Sequence, residues 1–183
     1  RYKPMNKSIN IAVVGLGQVG SYLLNELNTK KKDIELKTGK KINVVAISAR
    51  NINKKRQFKI NKKIFFKNPL DIFSKTKIDI LFEAIGLSDG ISKKVVETGL
   101  KNKIHVITPN KALISKHGNE LAKVAELNNV NLEFEASVAG GIPKLRSIKE
   151  GLATNKISKV YGILNGTSNY ILSEMENSNQ SFS

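Results

Sequence analysis

Apolar residues along this chain fall into short, β-branched runs that alternate with stretches of helical spacing. Ile9 to Val14 is the first run and ends at Gly15, after which Gln18 to Asn28 repeats apolar residues at Val19, Tyr22, Leu23 and Leu27. The pattern predicts a strand, a glycine turn and a helix. Lys30 to Lys41 is polar and basic, ends with Gly39, and reads as a loop before a second strand, Ile42 to Ser48. Asn51 to Asn68 has no clear period and predicts short or irregular structure. A third buried strand is expected over Ile78 to Ala84, a helix over Gly90 to Leu100, a strand over Ile104 to Ile107, a helix over Lys111 to Asn128 and a strand over Asn131 to Ala136. Strand followed by helix, repeated, predicts a parallel sheet covered on both faces.

The pattern changes after Gly140 and Gly141. A helix led by Pro143 is expected to run through Gly151, then an alternating stretch from Lys156 to Leu164, a short helix after Thr167 and a polar tail from Asn177 to Ser183. This reads as the start of a second domain. The expected divisions are residues 1–8 as leader or expression-derived residues, 9–138 as the first domain and 139–183 as the beginning of the second.

Composition narrows the chemistry. The chain has no cysteine, which excludes disulfides, thiolate catalysis and cysteine zinc sites, and its two histidines, His105 and His117, are too few for a transition-metal cluster. The longest apolar runs fall well short of the roughly 20 residues that span a bilayer, so a soluble, cytoplasmic protein is expected. The net charge of +16 invites a nucleic-acid reading, since lysine-rich patches bind phosphate backbones. The lysines are spread along nearly the whole chain, however, and only Lys54, Lys55, Arg56, Lys59, Lys62 and Lys63 form a run, interrupted by the single aromatic Phe58. Nucleic acid is therefore set behind a small-molecule site.

That site is signalled by Gly15-Leu16-Gly17-Gln18-Val19-Gly20, which follows a predicted strand and opens a predicted helix. In this context G-x-G-x-x-G is a dinucleotide fingerprint, because Gly15 permits a tight turn, Gly17 lets a pyrophosphate reach the backbone and Gly20 lets helix and strand pack closely. The expected fold is a Rossmann-type doubly wound parallel sheet followed by the beginning of an α+β catalytic and dimerisation domain. The second strand ends Ala46-Ile47-Ser48-Ala49-Arg50, without the acid that usually binds the ribose 2′-hydroxyl of NAD. Arg50, with Ser48 as a hydroxyl donor, suits a 2′-phosphate instead, so NADP(H) is favoured over NAD(H).

Three further segments sharpen the reading: Ile107-Thr108-Pro109-Asn110-Lys111-Ala112-Leu113, Phe134 to Pro143, and Gly162 to Tyr170 with Asn165-Gly166-Thr167-Ser168-Asn169 at its centre. Together with the fingerprint they resemble the homoserine dehydrogenases, over about Ile9 to Leu172. The resemblance implies reversible reduction of L-aspartate 4-semialdehyde to L-homoserine, in the biosynthesis of threonine, methionine and isoleucine. It places Lys111 at cofactor and substrate, with Thr108 beside it on the cofactor side. It matches Glu135, Val138, Gly140 and Ile142 to a monovalent-cation loop that surrounds sodium with one carboxylate and backbone carbonyls. Glu83-Ala84-Ile85-Gly86 resembles the nicotinamide-side loop. Gly166, Thr167 and Asn169, on a turn leading into a helix, are the candidates for the substrate carboxylate.

In the family, the acidic residues for the substrate amine and the main proton-donating lysine lie in a downstream Asp- and Gly-rich motif that this sequence does not include. The expectation is a stretch that binds cofactor without full turnover, and a homodimer for the complete enzyme rather than for this stretch. Two alternatives stay open: a non-enzymatic NAD(P)-sensing module, and a different small-aldehyde reductase on the same fold.

Overall fold

The computed structural model describes residues 8–54, 56, 60–138, 144–159, 161, 162, 165–178 and 181. The chain divides into two units, Arg1–Ser137 and Val138–Ser183. In the first, strands β1 (Ser8–Val14), β2 (Lys41–Ser48), β3 (Phe65–Phe66), β4 (Ile80–Glu83), β5 (His105–Ile107) and β6 (Leu132–Glu133) form one sheet in the order β3-β2-β1-β4-β5-β6. Every neighbouring pair is parallel. The connections carry α1 (Gln18–Thr29), α2 (Lys31–Thr38), α3 (Ile72–Lys75), α4 (Ile91–Lys101) and α5 (Lys111–Leu127). This is the doubly wound order, with the chain reversing direction across the sheet between β1 and β4.

Alternation along β1 divides the core. Ile11 and Val13 pack with Leu16, Leu24, Ile42, Ile47 and Phe82 on one face. Ala12 and Val14 pack with Leu81, Val95, Val96, Val106, Leu113 and Leu121 on the other, under α4 and α5. A bulge keeps the two strands in step: Ile11 pairs with Val44 and Ala12 with Ala46, so Val45 is skipped. Val45 and Ala46 consequently belong to the same core, and Ile47 returns to the opposite one.

Several sequence expectations are corrected. The Lys30 to Lys41 loop is a helix, α2, with no buried residue. Its apolar residues are Ile34, partly buried against the core, and the exposed Leu36, too few to show an apolar period; an ion pair between Lys31 and Glu35 and a left-handed Gly39 at its end, φ +66°, support it as well. Along α1 the buried positions are Gly20 and Leu24, while Val19 and Tyr22 are exposed, because Gly20 must face the turn that precedes it. The Asn131 to Ala136 strand keeps only Leu132–Glu133 and then turns into a 3₁₀ turn, Glu135–Ser137. The short structure expected within Asn51 to Asn68 is found as a 3₁₀ turn, Lys62–Ile64, that leads into β3 at the sheet edge.

The second unit contains α6 (Lys144–Arg146), which runs into a π-helical turn, Ser147–Gly151, and α7 (Gly166–Ser178). Pro143 lies outside the described residues. The Lys156 to Leu164 strand is not formed in residues 156–159 or 161–162. A strand needs a hydrogen-bonded neighbour, and none is present among the described residues of this unit. Helix α7 starts earlier than expected, at Gly166, because Asn165 caps it through Oδ1 accepting from the Ser168 N–H at 3.0 Å.

The contrast between core strand and polar helix is measurable. Leu81→Ala, at a fully buried position of β4, is expected to cost about 2–5 kcal/mol in urea unfolding. Leu36→Ala on the exposed face of α2 should stay within about 0.5 kcal/mol of the unaltered protein. Equal losses at the two sites would mean that α2 belongs to the core after all.

Candidate functional site

A cleft of about 450 Å³ opens at the carboxyl ends of β1, β2 and β4. Gly15, Leu16 and Gly17 form its floor, Ser48 to Asn51 one side, and Ala84, Ile85 and Leu87 the other. It therefore sits at the switch point of the sheet, where the loops from β1 and β4 diverge and leave room for a ligand.

The glycine turn has no spare space except in one direction. Gly15 has φ +91°, and a Cβ there would lie 2.4 Å from the Ala84 carbonyl carbon and oxygen. A Cβ on Gly20 would come within 1.9 Å of the Gly15 carbonyl oxygen. At Gly17 the same construction meets nothing within 4 Å. The turn is held by the Gly15 N–H donating to the Ser48 carbonyl at 2.9 Å and the Ala84 N–H donating to the Val14 carbonyl at 2.7 Å. Helix α1 begins at Gln18 with Gly17 as its cap and no side-chain cap hydrogen bond. Its first-turn N–H groups thus present partial positive charge without a competing acceptor from the cap.

The end of the cleft beyond β2 is basic. Arg50, Lys54, Arg56 and Lys67 line it, and no Asp or Glu does among the described residues. Arg56 ties its own loop together, donating from Nη1 to the Ile52 and Lys54 carbonyls and from Nη2 to the Asn51 carbonyl, at 2.9–3.2 Å. Its Nε is buried without a hydrogen-bond partner. Four cations fit an anionic group at this end. Lys55, Phe58 and Lys59 of the basic run lie outside the described residues.

Behind the other wall lies a buried polar network. Glu83, the last residue of β4, is wholly buried. Its Oε1 accepts from the Ile85 N–H at 2.8 Å and the Ser92 hydroxyl at 2.5 Å, and its Oε2 from the Thr108 hydroxyl at 2.7 Å. Asn110 completes the network, donating its N–H to Thr108 Oγ1 at 3.1 Å and its Nδ2 to Ser92 Oγ and the Leu87 carbonyl. Asn110 Oδ1 caps α5 by accepting from the Leu113 N–H at 3.2 Å. On the surface, Asp89 accepts from Lys116 Nζ at 2.7 Å and Ser88 Oγ at 2.6 Å and pairs with His117 Nε2 at 2.8 Å. The hydrogen bond from Lys116, then those from Ser88 and His117, hold its carboxyl well below the usual carboxylate range.

The structure thus gathers Gly15, Leu16, Gly17, Ser48 and Arg50 around one cleft, with Gln18, Val19 and Gly20 in the first turn of α1. Thr108 and Lys111 are not on the cleft wall. Thr108 is fully buried and its hydroxyl donates to Glu83, so its side chain takes part in the network. Lys111 is the exposed first residue of α5. Glu135 lies in the 3₁₀ turn after β6, Val138 is exposed, and Gly140 and Ile142 are outside the described residues. Gly166, Thr167 and Asn169 are exposed in the first turn of α7. No group of three or more His, Cys, Asp or Glu residues able to hold a metal occurs among the described residues. Nor is any described helix long and apolar enough to cross a membrane.

Two participants escape the sequence. Lys67 follows a two-residue strand too short to show a period. Ser92 is a polar residue at spacing i, i+3, i+4, i+7 and i+8 with the buried Val95, Val96, Gly99 and Leu100, and a hydroxyl on that face is the signal that could have revealed it.

Comparison with known proteins agrees with this geometry. The homoserine dehydrogenase NAD binding domain matches residues 15–135, and a second model, homoserine dehydrogenase, matches residues 143–183. A homoserine dehydrogenase of Neisseria gonorrhoeae is 38% identical over 176 residues, covering 96% of this chain and 40% of that protein. One of Bacillus subtilis is 34% identical over 169 residues, covering 92% of this chain and 39% of its own length. The crystal structure of a homoserine dehydrogenase from Thiobacillus denitrificans superposes with a TM-score of 0.79 at 37% identity, over 96% of this chain and 40% of that one. The chain spans about 40% of the length of the relatives it matches. With the first match enclosing the glycine turn, the cleft and the buried network, the chain belongs to the homoserine dehydrogenase family.

Proposed function

We propose that this chain is the cofactor-binding part of a cytoplasmic homoserine dehydrogenase that interconverts L-aspartate 4-semialdehyde and L-homoserine, in the synthesis of threonine, methionine and isoleucine, with NADP(H) favoured over NAD(H). The observation that carries the reading is the glycine turn at the switch point of the sheet, open only above Gly17, in a chain of this family. Gly15 to Gly20 and the uncapped start of α1 are assigned to the pyrophosphate, and Arg50 with Lys54 and Lys67 to the 2′-phosphate. The bound dinucleotide supplies the hydride. Lys111 is assigned to the substrate and cofactor side, where a cation favours the oxygen that gains negative charge. Gly166, Thr167 and Asn169 are assigned to the substrate carboxylate. Glu135 with Val138, Gly140 and Ile142 is assigned to a sodium loop, and the complete enzyme is taken to be a homodimer. The resemblance puts the main proton donor in a motif that these residues do not include.

The direct test is oxidation of NADPH by the full-length protein with L-aspartate 4-semialdehyde. Turnover with other small aldehydes but not with this one would make it a different reductase, and saturable NADPH binding without any turnover would make it a sensing module. The glycine turn is tested by two substitutions. Gly17→Val should leave the protein folded while weakening NADPH binding by roughly a hundredfold, because its side chain occupies only the space given to the ligand. Gly20→Ala should instead cost about 1–3 kcal/mol of stability, since backbone must move to admit the Cβ. Undiminished binding by Gly17→Val would remove the turn from the site.

Cofactor choice is read from Arg50→Glu. Its Kd for NADPH should rise roughly tenfold or more with little change for NADH, and equal changes for both would assign Arg50 no part in the preference. For Lys111→Met in the full-length enzyme, kcat should fall by roughly a hundredfold with NADPH still bound; retention of kcat would exclude Lys111 from the reaction.

A further inference from the structure

Glu83 is a carboxylate sealed inside the protein with no basic side chain hydrogen-bonded to it. Such a group is costly to bury unless donors satisfy it, and here three do. The directions of the surrounding hydrogen bonds are fixed. Leu113 offers Asn110 an N–H and Leu87 offers it a carbonyl, so Asn110 must present Oδ1 to the first and Nδ2 to the second. Its Nδ2 also donates to Ser92 Oγ, and its backbone N–H donates to Thr108 Oγ1. Both hydroxyls therefore receive one proton and must send their own onward, and each points to Glu83. With the Ile85 N–H arriving as well, three hydrogen bonds converge on this carboxylate, which accepts all of them.

The groups joined in this way belong to the two loops that flank the proposed nicotinamide side. Ile85 and Leu87, both held by the network, line the cleft. Asn110 sets the first turn of α5, whose first residue is Lys111. We propose that Glu83 is a positioning residue for hydride transfer: it locks the Ala84–Leu87 loop and the Thr108–Lys111 turn to one another, and so fixes where Lys111 stands relative to the cleft. This rests on the function proposed above.

Glu83→Gln in the full-length enzyme tests it. The substitution keeps the shape but turns one oxygen into an NH₂ that faces a donor, so the lock fails while the pyrophosphate turn is untouched. Expected is a fall in kcat of roughly ten- to hundredfold, because slight misplacement of a reacting group is costly. The Kd for NADPH should change by much less than kcat, since the pyrophosphate turn and the basic end of the cleft are left in place. Ser92→Ala, a milder change that removes one donor to Oε1, should give the same split at a several-fold level, and it carries the test if Glu83→Gln does not fold. A lowered melting temperature with kcat of the folded enzyme unchanged, in either variant, would make the network structural only and overturn the proposal, as would a parallel loss of NADPH binding and kcat. Full-length protein that binds NADPH but reduces no aldehyde overturns the functional reading and this inference with it. Turnover that survives both substitutions overturns the inference alone.

Discussion

Everything at the carboxyl edge of the sheet depends on how closely the turn after β1 is pressed against the backbone of its neighbours. Gly15 lies against Ala84 and Ile85, and Gly20 against Gly15 itself, at separations that no side chain could share. That contact sets the rotation of α1, which is why Gly20 and Leu24 face inward and Tyr22 does not. It also brings the end of β1 level with the ends of β2 and β4, so that one cleft receives loops from all three strands. Fold and binding surface here have a single cause: close packing of main chain on main chain.

The charge of the cleft is arranged along its length. Its outer end is basic through four side chains, while the wall behind Ala84 and Leu87 conceals an anion, Glu83, whose charge is taken up by hydroxyl and N–H groups rather than by a cation. Asp89, two residues beyond Leu87, pins the same loop to α5 from outside through Lys116 and His117. The loop after β4 is thus tied on both its buried and its exposed sides. It behaves as a built wall of the cleft.

Much of this was legible in the residues because burial leaves a period. The β-branched runs at Ile9 to Val14 and Ile42 to Ser48, the glycine spacing and the amphipathic α4 and α5 all mark core contacts, and each element appears where the pattern put it. What escaped has no such mark. Helix α2 has no fully buried residue and is sustained by one ion pair, a glycine cap and the partial packing of Ile34, which leave no apolar spacing to read. Strand β6 is cut to two residues by the turn at Glu135, a tertiary decision that the run of apolar residues does not announce. The tie between Thr108 and Glu83 is hidden for a related reason: only the three-dimensional approach of β4 to β5 brings the two side chains together.

The sheet closes at both borders on strands of two residues, β3 and β6. A border that short offers a passing polypeptide almost no unpaired main-chain groups to zip onto, and the twist of a parallel sheet turns what remains away. Growth of the sheet by recruitment of a further strand is therefore disfavoured from either side. Short borders of this kind leave this lysine-rich protein a sheet poorly suited to seeding fibrils.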